Sequence, residues 1–112
     1  SFIIPKKGEA SIDLIFYKGK KLNNNFMGVY NMVMDLTKLA YCVPIKNKEA
    51  ATCASALEAC LRFFKKNNVT VTMIFSDFGN EFKAEHMKFM EDNDIKQHHY
   101  AGLQSAPFIE SF

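Results

Sequence analysis

Hydrophobic residues change their spacing twice along this chain. Up to Ile45 they come in short β-branched and aromatic runs with a period near two, and from Ala50 to Phe64 they recur at i, i+3, i+4 and i+7. Val69 to Phe75 then return to alternation. A period of two suits a pleated strand, and roughly 3.6 suits one face of a helix. A chain of 112 residues, 48% of them hydrophobic, that moves from strands to helix and back has material for one layered α/β core. It is too short to hold a second catalytic domain as well.

Ser11 to Tyr17 (SIDLIFY) reads as a first strand, with Ile12, Leu14 and Phe16 on one face and Asp13, Ile15 and Tyr17 on the other. After the polar stretch 18–25, Phe26 to Met34 and Leu39 to Ile45 supply two more strands. The turn Asp35 to Lys38 between them is short enough to require an antiparallel meander, and Asp35 reads as a turn-stabilising residue. Pro44 points to an edge strand. The helical stripe is Ala50, Cys53, Ala54, Leu57, Cys60, Leu61 and Phe64, with Asn47 able to cap its start and Lys65 and Lys66 favourably placed at its end. The fourth strand, Val69 to Phe75, stops at Ser76 to Gly79. A second helix shows Phe82, His86, Phe89 and Met90 on one face, a fifth strand covers Ile95 to His98, and Ser105 with Pro107 opens a last helix. The expectation is a mixed five-stranded sheet, a three-strand antiparallel meander plus two parallel strands, flanked by helices. Residues 1–9 read as a lead-in segment and 10–112 as the core, its last helix cut short at Phe112.

The net charge of +2 makes the molecule as a whole a weak attractor of phosphate, so steering falls to local lysine groups: Lys6 and Lys7; Lys18, Lys20 and Lys21; Lys65 and Lys66. Taken singly, each is most simply a solvated face. Three cysteines without a CxxC pair argue against a disulfide framework or a zinc knuckle and fit a reducing, intracellular setting. Cys53 and Cys60 lie on the helical stripe and read as core residues. No apolar run reaches the roughly 18 residues of a membrane span, and no signal-type block follows the first lysines.

Chemistry is concentrated in three acidic residues. Asp13 interrupts an apolar strand, Asp77 stands at the carboxyl end of the fourth strand, where ligand sites of open α/β sheets gather, and Glu110 lies in the first turns of the last helix. Each has an ordinary alternative: a solvated strand face, a helix cap, a surface glutamate. A carboxylate in a buried strand needs a positive counterpart, and a hard divalent cation is one that also does chemistry. His86 on its apolar stripe reads as a packed histidine, and of the neighbours His98 and His99 no more than one can face such a site.

The neighbours of these acids carry a resemblance. SDFGNEF at 76–82 resembles the second-aspartate motif of retroviral, retrotransposon and Maverick-type integrases, through Asp77, Gly79, Glu81 and Phe82. QSAPFIESF at 104–112 resembles the segment bearing that family's catalytic glutamate, through Gln104, Ser105, Glu110 and Ser111, and the 33 positions from Asp77 to Glu110 are close to the family's spacing. SIDLIFY matches the first-aspartate strand, and 32–48 look like the next two strands. Pro107 departs from the pattern, standing where glycine is common. The resemblance implies a ribonuclease H-like fold and a DNA integrase core. In that family Asp13, Asp77 and Glu110 would be the catalytic ligands of two Mg²⁺ or Mn²⁺ ions, for end processing and strand transfer of viral or mobile-element DNA. It further implies DNA ends and target DNA as partners, a homo-oligomer, no membrane, and a nuclear or virus-associated location. Lys88, Lys96 and Gln104 are weaker candidates for DNA contact. The competing readings are a ribonuclease H-like nuclease that cuts without joining, and a catalytically silent integrase-like scaffold that binds DNA or protein.

Overall fold

A computed structural model describes residues 6–16, 26–77 and 82–99. Five strands and two helices follow in the order β1 (Glu9–Phe16), β2 (Gly28–Met34), β3 (Ala40–Ile45), α1 (Ala50–Lys66), β4 (Met73–Ser76), α2 (Glu85–Asp92) and β5 (Lys96–His99). They form one sheet in the order β3-β2-β1-β4-β5, antiparallel through the first three strands and parallel from β1 to β4 to β5. This is the mixed sheet the hydrophobic pattern predicts.

Alternation in β1 decides which face is covered. Ala10 and Ile12 are buried against the helices, and across the sheet Tyr30, Met32 and Met34 of β2 and Ile45 of β3 share that face. α1 lays Cys53, Ala56, Leu57, Cys60 and Phe64 onto it, and α2 adds His86 and Met90, with Phe82 just ahead of the helix. Both described helices therefore pack on one face. Ser11, Asp13, Asn31, Val33, Phe75 and His98 belong to the other, because register partners in adjacent strands point the same way. Each helix ends with an asparagine that reaches back to a terminal carbonyl: Asn67 Nδ2 donates to Phe63 O at 2.9 Å and Asn93 Nδ2 to Phe89 O at 2.8 Å. No helix among the described residues is long and apolar enough to cross a membrane.

Several boundaries differ from expectation, for physical reasons. Strand character at Val69 to Thr72 fails because β1 begins only at Glu9. The Thr72 N–H bonds Gly8 O at 2.8 Å, and regular pairing starts one residue later at Met73. Asn47 is not the N-cap of α1, a position held by Glu49 without a side-chain bond. Asn47 instead ties down the approach to the helix: its Oδ1 accepts from Glu49 N at 3.0 Å and from Thr52 Oγ1 at 2.6 Å. The Asp35 side chain reaches beyond its turn, where Lys38 attracts its charge. It is 2% exposed, and its Oδ1 accepts a 2.8 Å bond from Ser11 Oγ across the sheet. The last helix lies outside the described residues.

Pro44 sits where its missing amide does no harm. Met34 N–H donates to Leu39 O at 2.8 Å, and antiparallel bonds recur at every second residue. Tyr41, Val43 and Ile45 thus bond β2, while Ala40, Cys42 and Pro44 turn their main-chain groups away from it.

Candidate active site at the carboxyl end of the sheet

Register brings two of the three candidate acids together. β1 and β4 pair in parallel as Glu9 with Met73, Ala10 with Ile74 and Ser11 with Phe75, a constant offset of 64 positions. Carried two residues onward, the same offset sets Asp13 beside Asp77, the residue directly after β4. The ladder itself ends at Ser11 and Phe75, so the two acids lie just past paired backbone, near enough for the Asp77 charge to act on Asp13.

The electrostatics agree with this juxtaposition. The Asp13 carboxyl is held above its usual range chiefly by burial among its neighbours, with a smaller contribution from the negative charge of Asp77. The Leu14 N–H, which donates to Asp13 Oδ1 at 2.9 Å, works in the other direction and fixes the carboxylate's orientation. Hard oxygen donors in mutual repulsion are the donor set that suits a divalent cation, which relieves the repulsion by bridging them. Among the described residues no group of three or more His, Cys, Asp and Glu side chains gathers to hold a metal ion. Glu110, the expected third ligand, and Gln104 lie outside the described residues.

The remaining candidates are spread more widely. His98 pairs in register with Phe75 and packs edge-on against its ring, 5.0 Å between centroids, on the face that carries Asp13. His86 is a core residue as its stripe predicts: fully buried, with Nε2 2.8 Å from Tyr30 Oη. Burial lowers its pKa to about 4, against a smaller opposing effect of the Phe82 main chain. Lys88 is exposed on α2, 3.7 Å from Asp92. Lys96 opens β5 opposite Met73, so it stands at the amino end of the parallel strands, about 13 Å along the sheet from the Asp77 position at roughly 3.3 Å per residue.

Two lysines not singled out in the sequence do reach the carboxyl end. Lys46 and Lys48 follow β3, with Lys46 Nζ 5.8 Å from the Phe26 ring centroid and Lys48 Nζ 4.4 Å from that of Phe16. A search for lysine runs passes over them because they are not adjacent to one another and no third lysine joins them. The usable signal is the alternation itself at a strand end, with one residue turned in and two turned out.

A mixed five-stranded sheet of this order with helices packed on it is the ribonuclease H-like fold found in integrase catalytic cores. Two solved structures with this fold are the HTLV-2 integrase catalytic core domain in complex with magnesium, in a dimeric form, and the catalytic core domain of BIV integrase. The first superposes with a TM-score of 0.72 at 15% identity, over 96% of this chain and 66% of that one. The second gives 0.70 at 16%, over 95% and 64%. The chain thus spans about two thirds of the length of these cores. No protein-family model matches the sequence, and no curated protein does so either.

Proposed function

We propose that this chain is the catalytic core of a DNA integrase, using two divalent ions, Mg²⁺ or Mn²⁺, to trim DNA ends and join them to target DNA. The observation that supports the reading is the parallel β1–β4 register, whose offset, continued two residues past its last pair, leads from Asp13 to Asp77, together with the effect of the Asp77 charge on Asp13. The fold shared with the two retroviral cores supports it.

Asp13 and Asp77 would hold the ions, with Glu110 completing the set. Bound there, divalent ions supply activation of the attacking oxygen and stabilisation of the leaving one in an in-line phosphoryl displacement. The chain's own part is to hold the carboxylates in place. β1 and β4 fix their separation, and the Leu14 amide fixes the Asp13 plane. No side chain serves as a covalent nucleophile: water would attack when an end is trimmed, and the freed 3′ hydroxyl when it is joined. Gln104 and Lys88 remain candidates for contact with the DNA. A homo-oligomer that brings two DNA ends together is part of the same reading, and the dimeric form of the HTLV-2 core supports it.

The test is titration of the protein and an Asp77→Asn variant with Mg²⁺ or Mn²⁺ by calorimetry, followed by incubation with a labelled duplex. Metal binding with nicking and joining in the parent, all lost in the variant, is the expected result. Nicking without joining would move the assignment to a nuclease. No metal binding at millimolar concentration with DNA present would defeat the catalytic reading and leave a DNA-binding or scaffold domain.

A further inference from the structure

We infer that Lys46 and Lys48 form a rim that grips backbone phosphates of the DNA beside the carboxylate pair, an inference that rests on the reading of this chain as a DNA-acting core. Asp13 and Asp77 present negative charge at the point where a phosphodiester must approach. Phosphates on either side of it need cationic partners at the same end of the sheet, and Lys46 and Lys48 stand at that end, directly after β3.

Their placement follows from topology. Phe16 ends β1 three residues beyond Asp13, about 10 Å along the strand. Lys48 lies over the Phe16 ring, and Lys46 directly follows Ile45, the β3 residue that pairs with Gly28, itself paired with Phe16. Phe16 and the helices occupy one face and Asp13 the other, so rim and acids meet around the carboxyl end of the sheet.

Four observations set this pair apart from an ordinary solvated charge run. Among the described residues neither ammonium makes a salt bridge, whereas Arg62 and Lys88 are paired with Glu58 and Asp92. Both lie over aromatic rings, an arrangement that limits their rotamers and reduces the entropy lost on binding. Asn47, bonded to Glu49 N and Thr52 Oγ1, fixes the backbone between them so that both side chains turn outward. The first turn of α1 carries no acidic residue, so its positive dipole end adds to their field, and Glu49 is the one carboxylate between residues 46 and 52.

The experiment is DNA binding by fluorescence anisotropy in EDTA, between about 50 and 200 mM salt, for the parent, Lys46→Gln/Lys48→Gln and the control Lys65→Gln/Lys66→Gln. The control removes the same charge from the far end of α1. Loss of two phosphate contacts lowers the slope of log K against log salt by about 1.8 and weakens binding near 0.1 M salt by roughly ten- to a hundredfold. That change in the rim variant alone, with circular dichroism unchanged, is expected. A rim variant with the parent's slope, or a control that falls equally, overturns the proposal. Metal-dependent cleavage is assayed in parallel. A parent that cuts DNA while the rim variant keeps its slope sinks the rim alone, and rim-dependent binding without cutting sinks the catalytic reading alone. A parent that does not bind DNA at about 50 mM salt sinks both.

Discussion

Replacing Asp35 by asparagine should stabilise the protein above neutral pH. Asp35 is almost fully buried, its Oδ2 has no hydrogen-bond partner, and buried Glu9 Oε1, also without a partner, adds negative charge nearby. Burial is the main reason its pKa rises from 3.8 to about 6, and Glu9 adds to the rise; the Ser11 hydroxyl and Lys38 pull the other way. The folded state therefore holds this proton more tightly than the unfolded chain. Stability from the protonated form is fully present below pH 4 and is lost as pH climbs through 6. A shift of about two units corresponds to at most about 3 kcal/mol at pH 8. Asparagine keeps an oxygen to accept the Ser11 bond and brings an N–H₂ in place of the buried charge. The expected gain at pH 8 is about 1–3 kcal/mol, shrinking to nothing near pH 4. With an m-value of about 1.5 kcal/mol/M, the urea midpoint should rise by roughly 1–2 M. The chain has no tryptophan, so far-UV circular dichroism is the natural probe. His86 titrates in the same pH window but is common to both proteins and cancels in the difference. A variant that is less stable at pH 8, or one whose difference from the parent is the same at pH 4 and pH 8, refutes the reasoning.

Two further perturbations probe the covered face of the sheet. Tyr30→Phe removes the partner of His86 Nε2 inside the core and should cost about 1–3 kcal/mol in urea unfolding. In the same core, the depressed pKa of His86 means that its contribution to stability, intact above about pH 6.5, is lost as pH falls towards its folded value of about 4. Urea midpoints of the Asp35→Asn variant between those pH values should follow that fall. Gly28→Ala would set a Cβ 2.3 Å from Ile15 O in the adjoining strand. It should therefore loosen β1–β2 pairing by about 1–3 kcal/mol, read as faster hydrogen exchange at those strands.

Element types were legible because each strand and helix carries its own period, and the meander followed from a turn of four residues. The stripe of α1 named four of its five buried residues and missed Ala56, which sits three positions after Cys53 and beside Leu57 on the same face. What sequence could not carry was phase between distant segments. The helix α1 between β3 and β4 leaves the β1–β4 register free, so the alignment of Asp13 with Asp77 became visible only in the folded sheet. The same holds for Ser11 and Asp35, 24 positions apart, where a residue typical of turns serves as a buried acceptor. For the candidate site, motif resemblance gave the acids and geometry placed two of them; Glu110 and Gln104 fall outside the described residues. Lys46 and Lys48, at the same end of the sheet, carry no run signal of their own.

Pro44 also governs how copies of this chain can meet. β3 is the outer strand of the meander, and its unpaired main-chain groups would otherwise offer a template for a neighbour's strand. An incoming strand would find N–H groups at Ala40 and Cys42 and none at the next outward position. Strand addition is interrupted there, so copies of this chain brought side by side do not zip together along the whole length of this border.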